Sequence, residues 1–269
     1  MLSEQQAALY IQNLISIAIL IDAAEILFMR RQYSLQGIYS YQIVRSSHKW
    51  VLSGVTGNLF GFIFSYPRFI YLILFQALAA VMVLSQAFGG LTLILLIALI
   101  FFIKLSANMR HQTGLDGADQ MQVIVLAGLV GFYLFDDQRI QTISLIFISA
   151  QSILSYLVSG VAKLLSKEWR SGEAIKGIMN TVGYGNKKLA KVFTSSKSTS
   201  KLACWSVIIV ESFFPFFILI NIDFTFIFLI VVGLMHLSIA IVMHLNNFFW
   251  SFISTYPAVI YLSYLVHQN

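Results

Sequence analysis

Residues 224–245 read FTFIFLIVVGLMHLSIAIVMHL, 22 positions without one Asp, Glu, Lys or Arg. A helix rises about 1.5 Å per residue, so this run covers about 33 Å, close to the roughly 30 Å hydrocarbon core of a bilayer. Working outward, further apolar runs occupy 7–29, 67–88, 90–107, 121–135, 140–163, 203–220 and 248–266. The expected fold class is therefore all-α, a polytopic membrane helical bundle of about eight transmembrane helices. The run at 121–135 is short enough to be tilted or partly covered by protein. Residues 51–64 (VLSGVTGNLFGFIF) are too short and too glycine-rich for a span, and read as re-entrant or interfacial.

Composition agrees. Of 269 residues, 58% are hydrophobic and 10% charged, against about 25% charged in soluble domains; the mean hydropathy is +0.82. This excludes an ordinary cytosolic enzyme, a disordered chain and a disulfide-stapled secreted domain. A single cysteine, Cys204, rules out an internal disulfide, a CxxC pair and a multi-cysteine metal site, and no metal is expected. The net charge of +6 points to membrane topology and not to nucleic acid, because the cations are not interleaved with exposed aromatics in a polar domain. The first cation, Arg30, follows the first apolar run, so that run is expected to stay as an anchor and not to be cleaved as a signal peptide. With the N-terminus outside, 16 of the 17 Lys and Arg fall on one side, Lys104 and Arg110 counted as loop cations, and only Arg139 on the other. The expected organisation is one integral membrane domain over 1–269, in which 164–201 forms an interfacial helix and a polar Ser/Thr/Lys loop.

Polar residues inside apolar runs are expensive and usually face the bundle interior. Asp22 and Glu25, three apart, share one helix face. They read as a proton-handling pair, as a partner for Lys163, or as a helix end beside Arg30 and Arg31. In 111–121 (HQTGLDGADQM), Asp116 or Asp119 suits a helix cap, while His111, Asp116, Asp119 and Gln120 also suit a polar mouth that binds a head group or relays protons. In 155–169 (SYLVSGVAKLLSKEW), Ser155, Ser159 and Gly160 permit close helix approach. Lys163 either snorkels to the headgroups or serves as a base in a dry site, since only a neutral amine accepts a proton. Glu211 lies four residues before Pro215, which is expected to kink its helix. His236 and His244 lie eight apart, about 80° around a helix, placed to hydrogen-bond a quinone-like substrate or a neighbouring helix.

The order of these motifs resembles a known family. Asp116-Gly117-Ala118-Asp119-Gln120-Met121 opens a span. Tyr156-x-x-Ser159-Gly160-x-x-Lys163-Leu164 follows, with Trp169, Gly172 and Ala174 behind it. Then come Glu211 and Pro215, His236, Phe248-Phe249-Trp250 and Tyr256-Pro257. Over roughly residues 10–265 this resembles the horizontally transferred transmembrane (HTTM) domain family, related to the membrane part of vitamin K-dependent gamma-carboxylase, with bacterial members of the sporulation-delay protein B type that mature a secreted peptide toxin. The tyrosine-to-glycine string is its most specific part. The resemblance implies that Lys163 is the base that deprotonates a lipophilic quinol such as vitamin K hydroquinone or menaquinol. It also implies a multi-pass protein of the bacterial cytoplasmic membrane, with a secreted peptide precursor and accessory maturation proteins as partners. The large extramembrane portion of the animal carboxylase has no counterpart in this sequence.

The expected site is therefore Lys163, Asp119 and His236 for proton transfer, with His111, Asp116, Tyr156, Trp169 and Glu211 contacting substrate. The expected activity is modification of a secreted peptide. The alternative is a non-enzymatic accessory or immunity component of a peptide export system; a small transporter ranks below both, because no internal repeat is present.

Overall fold

The computed structural model describes residues 2–47, 54–110 and 116–267. All regular structure among them is helical: α1 (Glu4–Phe28), a 3-10 turn (Arg30–Tyr33), α2 (Tyr41–Ser47), α3 (Gly54–Phe64), α4 (Arg68–Leu84), α5 (Gly90–Asn108), α6 (Gly117–Leu134), α7 (Gln138–Leu165), α8 (Lys167–Ser171), α9 (Glu173–Met179), α10 (Lys187–Ser195), α11 (Lys197–Ile220), α12 (Ile222–Met243), α13 (Asn246–Ile253) and α14 (Tyr256–His267). Seven stretches are long and apolar enough to cross a membrane: α1, α5, α6, α7, α11 up to Ile218, α12, and residues Asn246–His267. The end of α3 and α4 form a pair bent by 67°, which makes an eighth if read as one broken span. The architecture is that of a multi-pass integral membrane protein.

Exposed side chains on these helices bear that out. On α12, Ile230, Leu234 and Ile241 are each at least 60% exposed, and they recur at helical spacing along one face. On α5, the exposed Leu91, Leu95, Leu99 and Phe102 form a similar stripe. Stripes of this extent are intolerable in water and ordinary against lipid.

The chain divides into two compact units: residues 12–141, and residues 1–11 with 142–269. In the first, α5 packs between α4 and α6. Its core joins Ala23 and Ile26 of α1 to Tyr41, Val44, Phe64, Phe69, Ile70 and Ile73, with Phe60 stacked on Phe64 at 4.2 Å. The helix expected from 121 begins earlier, at Gly117, because the Asp116 carboxylate accepts the Asp119 backbone N–H at 2.9 Å and caps it. In the second unit, α11 packs on α8, α9, α10, α12 and α14, and α12 on α13 and α14. Glu4 holds the N-terminal segment there, accepting from the Tyr261 hydroxyl at 2.6 Å and from Thr142.

Three expectations change. The Ser/Thr/Lys loop is helical: Asn186 caps α10, and Ser196 caps α11 by accepting the Thr199 N–H. Side-chain caps thus turn a composition that reads as loop into two helix starts. The last apolar run is broken at Ser254–Thr255, and α14 restarts with Pro257 in its first turn, where no donor is needed. Lys104 is not a loop cation: it lies within α5 and is 2% exposed, while Arg110, just past the end of α5, is a loop cation but a buried one at 4%; the rest of the charge asymmetry lies in Arg30, Arg31, Arg45, Lys49, Arg68 and the 163–201 segment.

Candidate functional site

In the second unit the tyrosine-to-glycine string is assembled by close contact of α7 and α11. A Cβ on Gly160 would stand 2.5 Å from the Ser212 nitrogen and 2.8 Å from the Glu211 carbonyl carbon. Only glycine lets the two backbones meet there. One turn on, the Lys163 ammonium donates to Glu211 Oε2 at 2.6 Å and to the Ser159 hydroxyl. The two charged side chains are 19% and 10% exposed. Pro215, inside α11, has no N–H to give the Glu211 carbonyl, the acceptor that an i−4 bond would use. The Trp169 ring lies 5.2 Å from the Lys163 nitrogen. It is held there by the short α8, whose start is capped by Ser166 and whose end is turned by Gly172 at φ 88°. That glycine also abuts α11, where a Cβ would meet the Lys201 nitrogen at 2.7 Å.

Two turns before Lys163, the buried Tyr156 hydroxyl shares a 2.8 Å hydrogen bond with His236 Nε2 of α12, the donor being set by the histidine tautomer. Phe252 stacks on His236 at 4.7 Å, and Phe214 and Phe252 flank Tyr156. His236 Nδ1 is buried without a partner. Tyr256, beside Tyr156, opens onto an apolar groove of about 380 Å³ lined also by Leu229, Gly233, Leu237, Phe249 and Ile253. The side chains of Tyr156, Lys163, Trp169, Glu211 and His236, spread over 81 positions of sequence, are thus gathered in one unit as two hydrogen-bonded pairs with Trp169 beside Lys163.

The other expected residues lie elsewhere. Asp119 belongs to the first unit, where Lys104 Nζ donates to Asp119 Oδ1 at 2.8 Å and to Asp22 Oδ2 at 2.7 Å. Asp22 is therefore the partner of Lys104, and Lys163 takes Glu211; of the three readings of Asp22, pairing with Lys163 is corrected. Asn108 supports the triad, donating to the Asp119 carbonyl at 3.1 Å. Asp116 is a helix cap. His244 does not join His236: it ends α12 in the left-handed region at φ 59°, off the helical face that the eight-residue spacing assumed. His111 lies outside the described residues.

Sequence reasoning missed Lys104 because it stands four residues from the end of its helix, within apparent snorkelling reach. The signal that finds it is Asp22, an acid about two turns inside its own apolar run, which needs a cation. Nearby, the Arg110 guanidinium is sandwiched against Phe69 at 4.3 Å and Tyr33 at 4.9 Å and donates to the Phe64 carbonyl at 3.0 Å. Burial lowers its pKa to about 10. Burial, and secondarily the Asp22 charge, pushes the Tyr33 phenol up to about 12.

Among the described residues, no three His, Cys, Asp or Glu side chains converge as metal ligands. Comparison with protein families, with curated proteins and with solved structures returns no match.

Proposed function

We propose that the chain is an integral membrane enzyme of the HTTM or carboxylase-related type, moving a proton from a lipophilic acid in the course of modifying a secreted peptide. The observation that carries this reading is the convergence of Lys163, Ser159, Glu211 and Trp169 beside Tyr156 and His236. A lone snorkelling lysine would need none of these partners. Lys163 and Glu211 form a hydrogen-bonded couple. Acting as a base, a neutral Lys163 amine accepts a proton from a substrate O–H, and the N–H bond forms as the O–H bond breaks.

A quinol of the vitamin K hydroquinone or menaquinol class fits the residues present. The groove beside Tyr256 is apolar, and the Tyr256 hydroxyl, buried without a partner, offers a polar contact for a ring hydroxyl. Such a quinol would supply the acidic hydroxyl and, on oxidation, the reducing electrons. The protein's own part is to hold the ring among Phe249, Tyr256 and Leu237, to keep water from the Lys163–Glu211 couple, and to accept the proton at Nζ.

The test is consumption of a reduced naphthoquinone by the purified full chain, together with the intact mass of a co-expressed secreted peptide. Lys163→Ala is expected to abolish quinol consumption and any mass change. Unchanged turnover in that variant would remove the lysine's role. The accessory or immunity reading draws on the same ion pair, since a lysine fully engaged by Ser159 and Glu211 also serves as a brace. Co-purification of an unmodified peptide, with no quinol consumed by the wild-type chain, would favour it.

A further inference from the structure

The helices α8, α9 and α10 lie between the end of one membrane-length helix, at Leu165, and the start of another, at Lys197. Residues 166–196 thus leave from one membrane-helix end and return to another, so the connection begins and ends at the headgroup level. Here it forms a groove of about 750 Å³ between the 180–185 turn and α10. Lys187, Lys191 and Thr194 line it. Their spacing of four and then three residues sets all three on one face of α10. Met179 and Ala190, both buried, also line it, and Val182 forms an exposed apolar lip.

Charge decides the occupant. None of the groove-lining residues is acidic. In 166–201 the carboxylates are Glu168 and Glu173; the first accepts from Ser166 and the second pairs with Lys176. Neither Lys187 nor Lys191 has an ion-pair partner among the described residues. Two ammonium groups one turn apart, with a hydroxyl beside them and apolar surface beneath, complement an anion that carries a hydrocarbon tail. Exposed Tyr184 and Val192 nearby add the amphipathic character of an interfacial segment.

We propose that this groove is a binding site for one anionic glycerophospholipid, its phosphodiester held between Lys187 and Lys191 and its acyl chains running along Val182 and Met179. The site is independent of the Lys163–Glu211 couple. A diffuse basic surface attracts anionic lipid wherever its charges stand, whereas this site depends on the two lysines that share the groove.

The experiment uses the purified full chain equilibrated with vesicles of equal parts phosphatidylglycerol and phosphatidylcholine, followed by native mass spectrometry of retained lipid. The wild type is expected to retain one phosphatidylglycerol in about tenfold preference over phosphatidylcholine, a preference of about 1.4 kcal/mol. The Lys187→Gln/Lys191→Gln variant loses that preference. The Lys188→Gln/Lys197→Gln variant, with the same charge removed outside the groove, keeps it. Equal loss in both variants would reduce the site to general electrostatics, and full retention in the first would overturn it. Displacement of the lipid by millimolar inorganic phosphate would mean that the lysines bind phosphate itself, and would also overturn it.

Discussion

Substituting Gly160→Ala tests the assembly of the Lys163 site at its narrowest point. The added methyl would stand 2.5 Å from the Ser212 nitrogen and 2.8 Å from the Glu211 carbonyl carbon. Ordinary contact between such atoms is about 3.5 Å, so α7 and α11 must part by about 1 Å. The Ser212 Oγ, at 2.7 Å, could rotate away, but the other two obstructing atoms are backbone, so side-chain rotation alone does not relieve the clash. The Lys163–Glu211 separation of 2.6 Å would stretch to about 3.6 Å, too long for a hydrogen bond. Overpacking of this kind destabilises by about 1–3 kcal/mol, while replacing a helical glycine by alanine returns about 0.5–1 kcal/mol. The net expectation is a loss of about 0–2.5 kcal/mol, seen as a lower Tm in detergent. Gly177→Ala in α9 is the control, because its Cβ meets nothing within 4 Å; it is expected to be neutral or stabilising. Glu211→Gln in the Gly160→Ala background should do less damage than in the wild type, because the pair is already broken. If Gly160→Ala proves as stable as Gly177→Ala, the helices are not in the backbone contact argued here.

Three further outcomes follow from the same geometry. Lys104→Met leaves Asp22 and Asp119 facing each other without a cation and should destabilise by about 3–5 kcal/mol; the triple variant with Asp22→Asn and Asp119→Asn should recover most of that loss in chemical denaturation. Tyr156→Phe strips His236 of its one hydrogen bond and should cost about 1–3 kcal/mol, with His236→Phe adding little once the hydroxyl is gone. Glu168 should titrate below the ordinary glutamate value of 4.5, because the Ser166 hydroxyl donates to its carboxylate. A depressed carboxylate supports the fold fully above the ordinary value and loses that support as pH falls through its own lowered value; Ser166→Ala should move the titration back up, read by carbon NMR of labelled glutamate.

Helix class, span positions and the list of polar residues needing explanation were legible along the chain, because each depends on local quantities. Residues 224–245 can only be a long apolar helix whatever surrounds them, and Asp116 caps α6 through a contact three residues away. Charge partners were not legible. Asp22, Lys104 and Asp119 are 82 and 15 positions apart, and nothing in a helical period says which lysine a given aspartate meets. Counting Lys104 among loop cations followed from its place near a helix end; only three-dimensional packing brings two carboxylates to it and makes a loop position unnecessary.

The amino-acid order alone determined that this protein lives in a membrane, since an apolar helix of bilayer length has no other stable solvent. It also brought Tyr156, Ser159, Gly160 and Lys163 to one stretch of α7. Tertiary structure decided that the lysine turns inward to Glu211 and not outward to phosphate. The reason is steric: at Gly160 two helices approach to backbone contact, and the charge one turn further on meets a carboxylate at 2.6 Å.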